Sequence, residues 1–112
     1  MYQSQSENIG YKNFTELNIP IVGTWDDHDF GENDGDKTYE HRRESQALFL
    51  DFFNVPKHDE RRRREGVYSF YDLKSNSGKT RIRVILLDNR YHKDPYQKAV
   101  DGDMLGEVQW RF

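Results

Sequence analysis

The 112-residue sequence contains no cysteine. Disulfides, thiolate metal ligands and a cysteine nucleophile are therefore excluded, and the redox compartment leaves no trace in it. Apolar residues are scarce, at 34% against about 45–50% on a count that includes glycine. No apolar run approaches the roughly 20 residues that span a bilayer. The opening stretch, Met1 to Glu7, lacks both the basic and the apolar parts of a signal peptide. Repeats and low-complexity segments are absent. The formal charge of −3 is too small to call for a polyionic partner.

What is present is charge and aromatic surface. Charged residues reach 33%, a level that alone would suggest disorder, but 14% aromatics argue against it. The expectation is one folded segment at most, with a small core and a wet surface. It is also expected to be a piece of something larger, whose remainder would cover some of its apolar surface.

The chain is organised around Thr24 to Asp36. An apolar run, Ile19-Pro20-Ile21-Val22-Gly23, feeds into Trp25-Asp26-Asp27-His28-Asp29-Phe30-Gly31. The run predicts a buried strand from Ile19 to Trp25, apolar on both faces, as in a layered α/β sheet. Aspartates this close repel one another, and a cation held between them removes that cost. Carboxylate oxygens suit hard or intermediate divalent ions, and imidazole suits iron and zinc. A histidine beside a bridging carboxylate is placed to protonate a leaving group, since imidazole exchanges protons near neutral pH. The pattern fits metal-assisted hydrolysis. An EF-hand does not fit. With Gly35 at its sixth position, Phe30 and His41 fall where acidic ligands belong.

Asp34 or Asp36 is expected to cap a helix from Lys37 to Asn54. Its second half, Ala47 to Phe53, is apolar nearly all round, which predicts burial on more than one side. Pro56 stops it. Arg61 to Arg64 lies among Asp59, Glu60 and Glu65 without a stacking aromatic and reads as a solvated loop; nucleic acid is not an expected partner. Val67 to Tyr71 and Thr80 to Leu87 read as a hairpin around the turn Ser75-Asn76-Ser77-Gly78, its return strand passing from a sheet edge into the interior. That strand delivers Asp88-Asn89-Arg90-Tyr91-His92 to a second polar rim. The plain account is a structural Asp–Arg pair. The functional one has Arg90 or His92 facing a substrate phosphate, with Asp88 supporting from behind. A loop from Lys93 onward gives way to a helix starting at Gly106.

Trp25 to Gly31 with Asn33-Asp34 resembles the motif of the alkaline phosphatase D (PhoD-like) group of calcineurin-like metallophosphoesterases. Further stretches resemble the same group in the same order: Glu44 to Phe52, Gly66-Val67-Tyr68, Ile85 to His92, and Gly106 to Trp110. The resemblance implies an α/β fold, a layered α/β/β/α sandwich of which residues 1–112 form the central third: mixed sheet strands, one long covering helix and the hairpin. It implies a phosphoric ester hydrolase, of phosphatase or phosphodiesterase type, working through metal-activated water. Two or more metal ions (calcium, iron, manganese or zinc) serve the whole domain, and a phosphate ester is the substrate. His28 takes the place of the proton donor and Asp27 that of the bridging ligand. Asp26 and Asp29 are ligands or lie behind them. The family's remaining ligand motifs belong outside this stretch, so the 112 residues alone are expected to be incompetent. The alternative is a non-catalytic metal-binding or interaction domain descended from such an enzyme. Relatives of this kind are often secreted or membrane-associated; the sequence assigns no compartment.

Overall fold

The computed structural model describes residues 2–96 and 101–112. Among them, helix and strand are mixed. Five α-helices are α1 (Tyr2–Glu7), α2 (Ile9–Thr15), α3 (Asp27–Phe30), α4 (Arg42–Phe52) and α5 (Gly106–Trp110), and one 3₁₀ turn covers Glu60–Arg62. Two strands, β1 (Ser69–Lys74) and β2 (Arg81–Leu86), form one antiparallel sheet. No described helix is long and apolar enough to cross a membrane.

The hairpin forms where the alternation and the turn cluster predict it. Gly78 takes φ +70° inside the turn and donates its N–H to Ser75 O at 2.8 Å. The register pairs Ser69 with Leu86 and Lys74 with Arg81. Asp72 faces Arg83 and accepts a bidentate pair of 2.7 Å bonds from it. The return strand does not enter an interior, however. Ile82 and Ile85 are both more than half exposed, at 55% and 56%. A two-stranded ribbon has no second layer to cover either face, so period-2 patterning alone does not bury it.

α4 begins at Arg42, five residues later than expected. Asp36 does not cap it. Its Oδ1 instead accepts the Thr38 N–H at 2.9 Å and the Thr38 hydroxyl at 2.8 Å, closing a local turn that competes with helix. The other end is stopped as the sequence suggests. Asn54 takes φ +51°, and the Val55 N–H returns to Leu50 O at 2.9 Å just before Pro56. Burial is one-sided along most of α4: Phe49 and Leu50 are sealed while Leu48 is exposed. Tyr2 and Tyr11 stack on Phe52, at 4.8 and 5.4 Å between ring centres, so α1 and α2 lie over its end.

The predicted strand Ile19–Trp25 is not formed: among the described residues these positions belong to no helix or strand and pair with none. Ile19 and Val22 are exposed, and burial begins only at Trp25. Trp25, Phe30, Phe49, Leu50, Val55, Val67 and Tyr91 make the core, with Trp25 edge-on to both Phe30 and Phe49. The radius of gyration is 16.0 Å, looser than the roughly 13 Å of a compact chain near this size. The small core and the projecting hairpin account for that. The loop expected after Lys93 is observed up to Asp94 and again near Asp101; residues 97–100 lie outside the described residues.

Candidate functional site

Two polar segment ends meet because Trp25 and Asp88 tie them together. The Thr24 hydroxyl donates to Leu87 O at 2.8 Å, and the Trp25 indole N–H donates to Asp88 Oδ1 at 2.8 Å. Asp88 is fully buried. Its Oδ1 also accepts the N–H groups of Arg90 and Tyr91, each at 2.9 Å, and its Oδ2 accepts that of Val67 at 2.8 Å. Its backbone is held from α5: the Asp88 N–H donates to Gln109 Oε1 at 2.8 Å, and Gln109 Nε2 donates to Asp88 O at 2.7 Å. A buried carboxylate with this many N–H donors is a satisfied one. Asp88 thus fixes the rim from beneath. The Asp88–Arg90 link expected as an ion pair is instead a bond from the Arg90 backbone N–H.

Above it, the chain turns once at α3. Asp26 is extended, with φ −100° and ψ −176°, and its carbonyl accepts the Phe30 N–H at 2.9 Å. Asp29 reaches back to the Asp26 N–H at 3.4 Å, so its carboxylate closes the turn. Gly31 ends it at φ +120°, where a Cβ would lie 2.7 Å from the Tyr39 hydroxyl. Only glycine suits that conformation and that gap.

Asp27 and His28 form a dyad. Asp27 is 8% exposed. Its Oδ2 accepts the Asp34 N–H at 2.9 Å, and its Oδ1 accepts the His28 N–H at 2.8 Å. His28 Nδ1 lies 2.8 Å from the same Oδ1. The Asp34 N–H, ahead of the His28 bonds, holds the Asp27 carboxyl down at about 2 against the opposing effect of burial. Asp27 is therefore anionic at neutral pH, and the Nδ1 tautomer with its proton toward Asp27 fits the geometry. That tautomer leaves Nε2 facing outward on a ring whose side chain is 66% exposed. Three of the roughly four acceptor positions of the Asp27 carboxylate are then in use, which leaves room for one more bond.

Asp26, Asp27 and His28 bring one donor atom each to within 4.8 Å of one another. Two carboxylates and an imidazole are a donor set that suits iron, manganese or zinc. Arg90 joins this rim. Its Nη2 lies 3.5 Å from Asp26 Oδ1, and its Nε is buried with no acceptor among the described residues. Of the predicted residues, Asp26, Asp27, His28 and Arg90 are brought together; Asp29 closes the turn and Asp88 lies below. His92 stands apart. It packs against Tyr91 and the start of α5, so closely that a Cβ on Gly106 would meet its own Cβ at 2.7 Å.

The Asp34 N–H and Gln109 escape a reading of the sequence. Asp34, expected as a helix cap and a motif residue, acts instead through its backbone N–H, at φ +57°, a role its side chain does not announce. Gln109 works on a residue 21 positions away. Compared with protein-family models, curated proteins and solved structures, the chain shows no match to any of them.

Proposed function

We propose that the chain forms the central part of a metal-dependent phosphoric ester hydrolase of the PhoD-like, calcineurin-like kind, built on a layered α/β/β/α sandwich. The observation that carries this reading is the Asp27–His28 dyad: Nδ1 gripped by a carboxylate, Nε2 outward, with Asp26 and Arg90 on the same rim. The ordered resemblance from Trp25 to Trp110 supports it.

In this reading Asp26 and Asp27 would hold metal, together with ligands supplied by the rest of the domain. Bound metal ions supply polarisation of the phosphoryl group and acidify a water. In its doubly protonated form, with Nδ1–H held on Asp27, His28 would give the Nε2 proton to the departing oxygen, and the neutral Nδ1–H ring is what remains. Asp27 fixes the ring so that this proton is presented at one angle. Arg90 offers its guanidinium to phosphoryl oxygens, for which its planar donor fork is suited. Asp26 holds it in place until substrate arrives.

In the whole enzyme, His28→Ala should lower turnover of a phosphate ester by about 10²- to 10⁴-fold while bound metal stays near normal. Asp27→Ala should lower the metal content itself. Unchanged turnover in His28→Ala overturns the proton-donor role, and metal binding without turnover in the unsubstituted enzyme points to the non-catalytic alternative. The 112 residues alone should turn over nothing with added manganese or zinc.

A further inference from the structure

A second concavity lies away from the Asp26–His28 cluster, between α4 and the 3₁₀ turn at Glu60–Arg62. It measures about 200 Å³, and its wall includes five arginines (Arg43 and Arg61 to Arg64), Glu65 and the buried Tyr91. Most of this charge is already used. Arg61 is committed to Asp59 and to the Tyr71 hydroxyl. Arg64 donates to Gly66 O and Tyr68 O and stacks on the Tyr68 ring at 3.5 Å.

What remains is informative. Arg62 spends its two terminal nitrogens on Asp51 and Val55 O, but its Nε is buried with no acceptor among the described residues. The Tyr91 hydroxyl is buried too, on a residue only 2% exposed, and no described group accepts its proton. Its oxygen lies close enough to the Arg43 guanidinium to favour the charged form of that group, though Glu65 does so more strongly. A guanidinium only donates, so Arg43 does not satisfy the Tyr91 proton. Arg63 is exposed and free of any described carboxylate, and Arg43 is held by one 3.1 Å bond to the half-exposed Glu65. Buried donors without acceptors are costly. The two side chains that carry them, Arg62 and Tyr91, both line one cation-lined cavity, and a compact, multiply charged acceptor entering it would satisfy both once the side chains turn toward it.

We propose that this cavity binds a small tetrahedral oxyanion, either free phosphate or the phosphoryl group of a monoester, through Tyr91, Arg62 Nε, Arg63 and Arg43. Glu65 stands at the site as its competitor and releases Arg43 when the anion enters. The proposal is independent of the hydrolase reading, since none of these residues belongs to the Asp26–His28 rim.

The test is calorimetric titration of the full 112-residue chain with inorganic phosphate, and in parallel with glycerol phosphate, at low and high salt. Binding that weakens with salt is expected. Arg63→Gln, which is exposed, and Tyr91→Phe, which keeps the core ring, should each weaken it by about tenfold, the scale of one hydrogen bond to a charged group. Glu65→Gln should tighten it. Tighter binding of the monoester would identify the phosphoryl group as the natural form, and tighter binding of phosphate the free ion. No binding of either ligand overturns the proposal. So does binding that Arg63→Gln and Tyr91→Phe leave intact, or binding that disappears in Arg90→Gln while surviving in Arg63→Gln. That last pattern would place the anion on the other rim.

Discussion

The indole N–H of Trp25 donates to the carboxylate of Asp88 at 2.8 Å, joining residues 63 positions apart in the chain. Trp25 precedes the acidic loop and Asp88 follows the hairpin, so this one bond sets the position of the first relative to the second. Both residues are buried, and the core ring of Phe30 packs on the same tryptophan.

Asp88→Ala should therefore be the most damaging substitution at the rim. It strands the N–H groups of Trp25, Val67, Arg90 and Tyr91 in the interior. A loss of about 3 kcal/mol or more is expected in urea unfolding. Asp88→Asn, which keeps one acceptor oxygen, should cost less. A loss below about 1 kcal/mol for the alanine variant would contradict the hub.

Asp27 makes a pH prediction. Its folded-state value, about 2, lies below the roughly 3.9 of an unfolded chain. Its contribution is therefore complete above the unfolded value and disappears as pH falls through the folded one. The stability gap between the wild type and Asp27→Asn should be constant from neutral pH down to about pH 5 and close between about pH 4 and 2. Urea midpoints across that range measure it, and a gap that stays open at low pH would refute the assignment.

The arginine run divides sharply. Arg61 is buried and bonded to Asp59 through two nitrogens, whereas Arg63 is exposed. Arg61→Ala should cost about 2 kcal/mol, and Arg63→Ala should stay within about 0.5 kcal/mol in the absence of added anion. Equal costs in thermal or urea unfolding would mean the run is, after all, uniformly solvated.

Gly66→Ala tests a close approach. Gly66 has φ +90°, and a Cβ there would sit 3.2 Å from Asp88 Oδ2 and 3.0 Å from the Tyr68 ring. Its N–H is also bonded to Gln46 Oε1 at 2.9 Å. A cost of about 1–3 kcal/mol is expected from the backbone conformation and the crowding together. A neutral substitution would show that the β1 approach is freely adjustable.

The sequence made some of this legible. Ser75 to Gly78 and the flanking alternation locate the hairpin, because turn chemistry and period are local. Asn54 and Pro56 end α4 for equally local reasons. The Asp-Asp-His cluster is visible as a donor set because its members are consecutive. Ile19 to Trp25 shows the limit. Its composition suits a buried strand, but a strand exists only with a neighbour, and composition does not supply one. The Arg61 to Arg64 run shows another, since four identical residues take four different environments from Asp59, Asp51, Tyr68 and solvent. Asp88 was visible as a polar strand end, but its role depends on donors 21 and 63 positions away.

Gln109 has a consequence for self-association. Its amide pairs with both the N–H and the C=O of Asp88, just as the peptide group of an adjoining strand would. The continuation of β2 beyond Leu86 is thus already occupied, and an incoming chain has no ladder to extend there. The open edge of β2 between Arg81 and Leu86 carries Ile82, Val84 and Ile85 and has no such plug among the described residues. Unpaired, apolar edges of this kind are where strands of separate molecules join. Aggregation of this chain would begin at that short edge and stop at the glutamine.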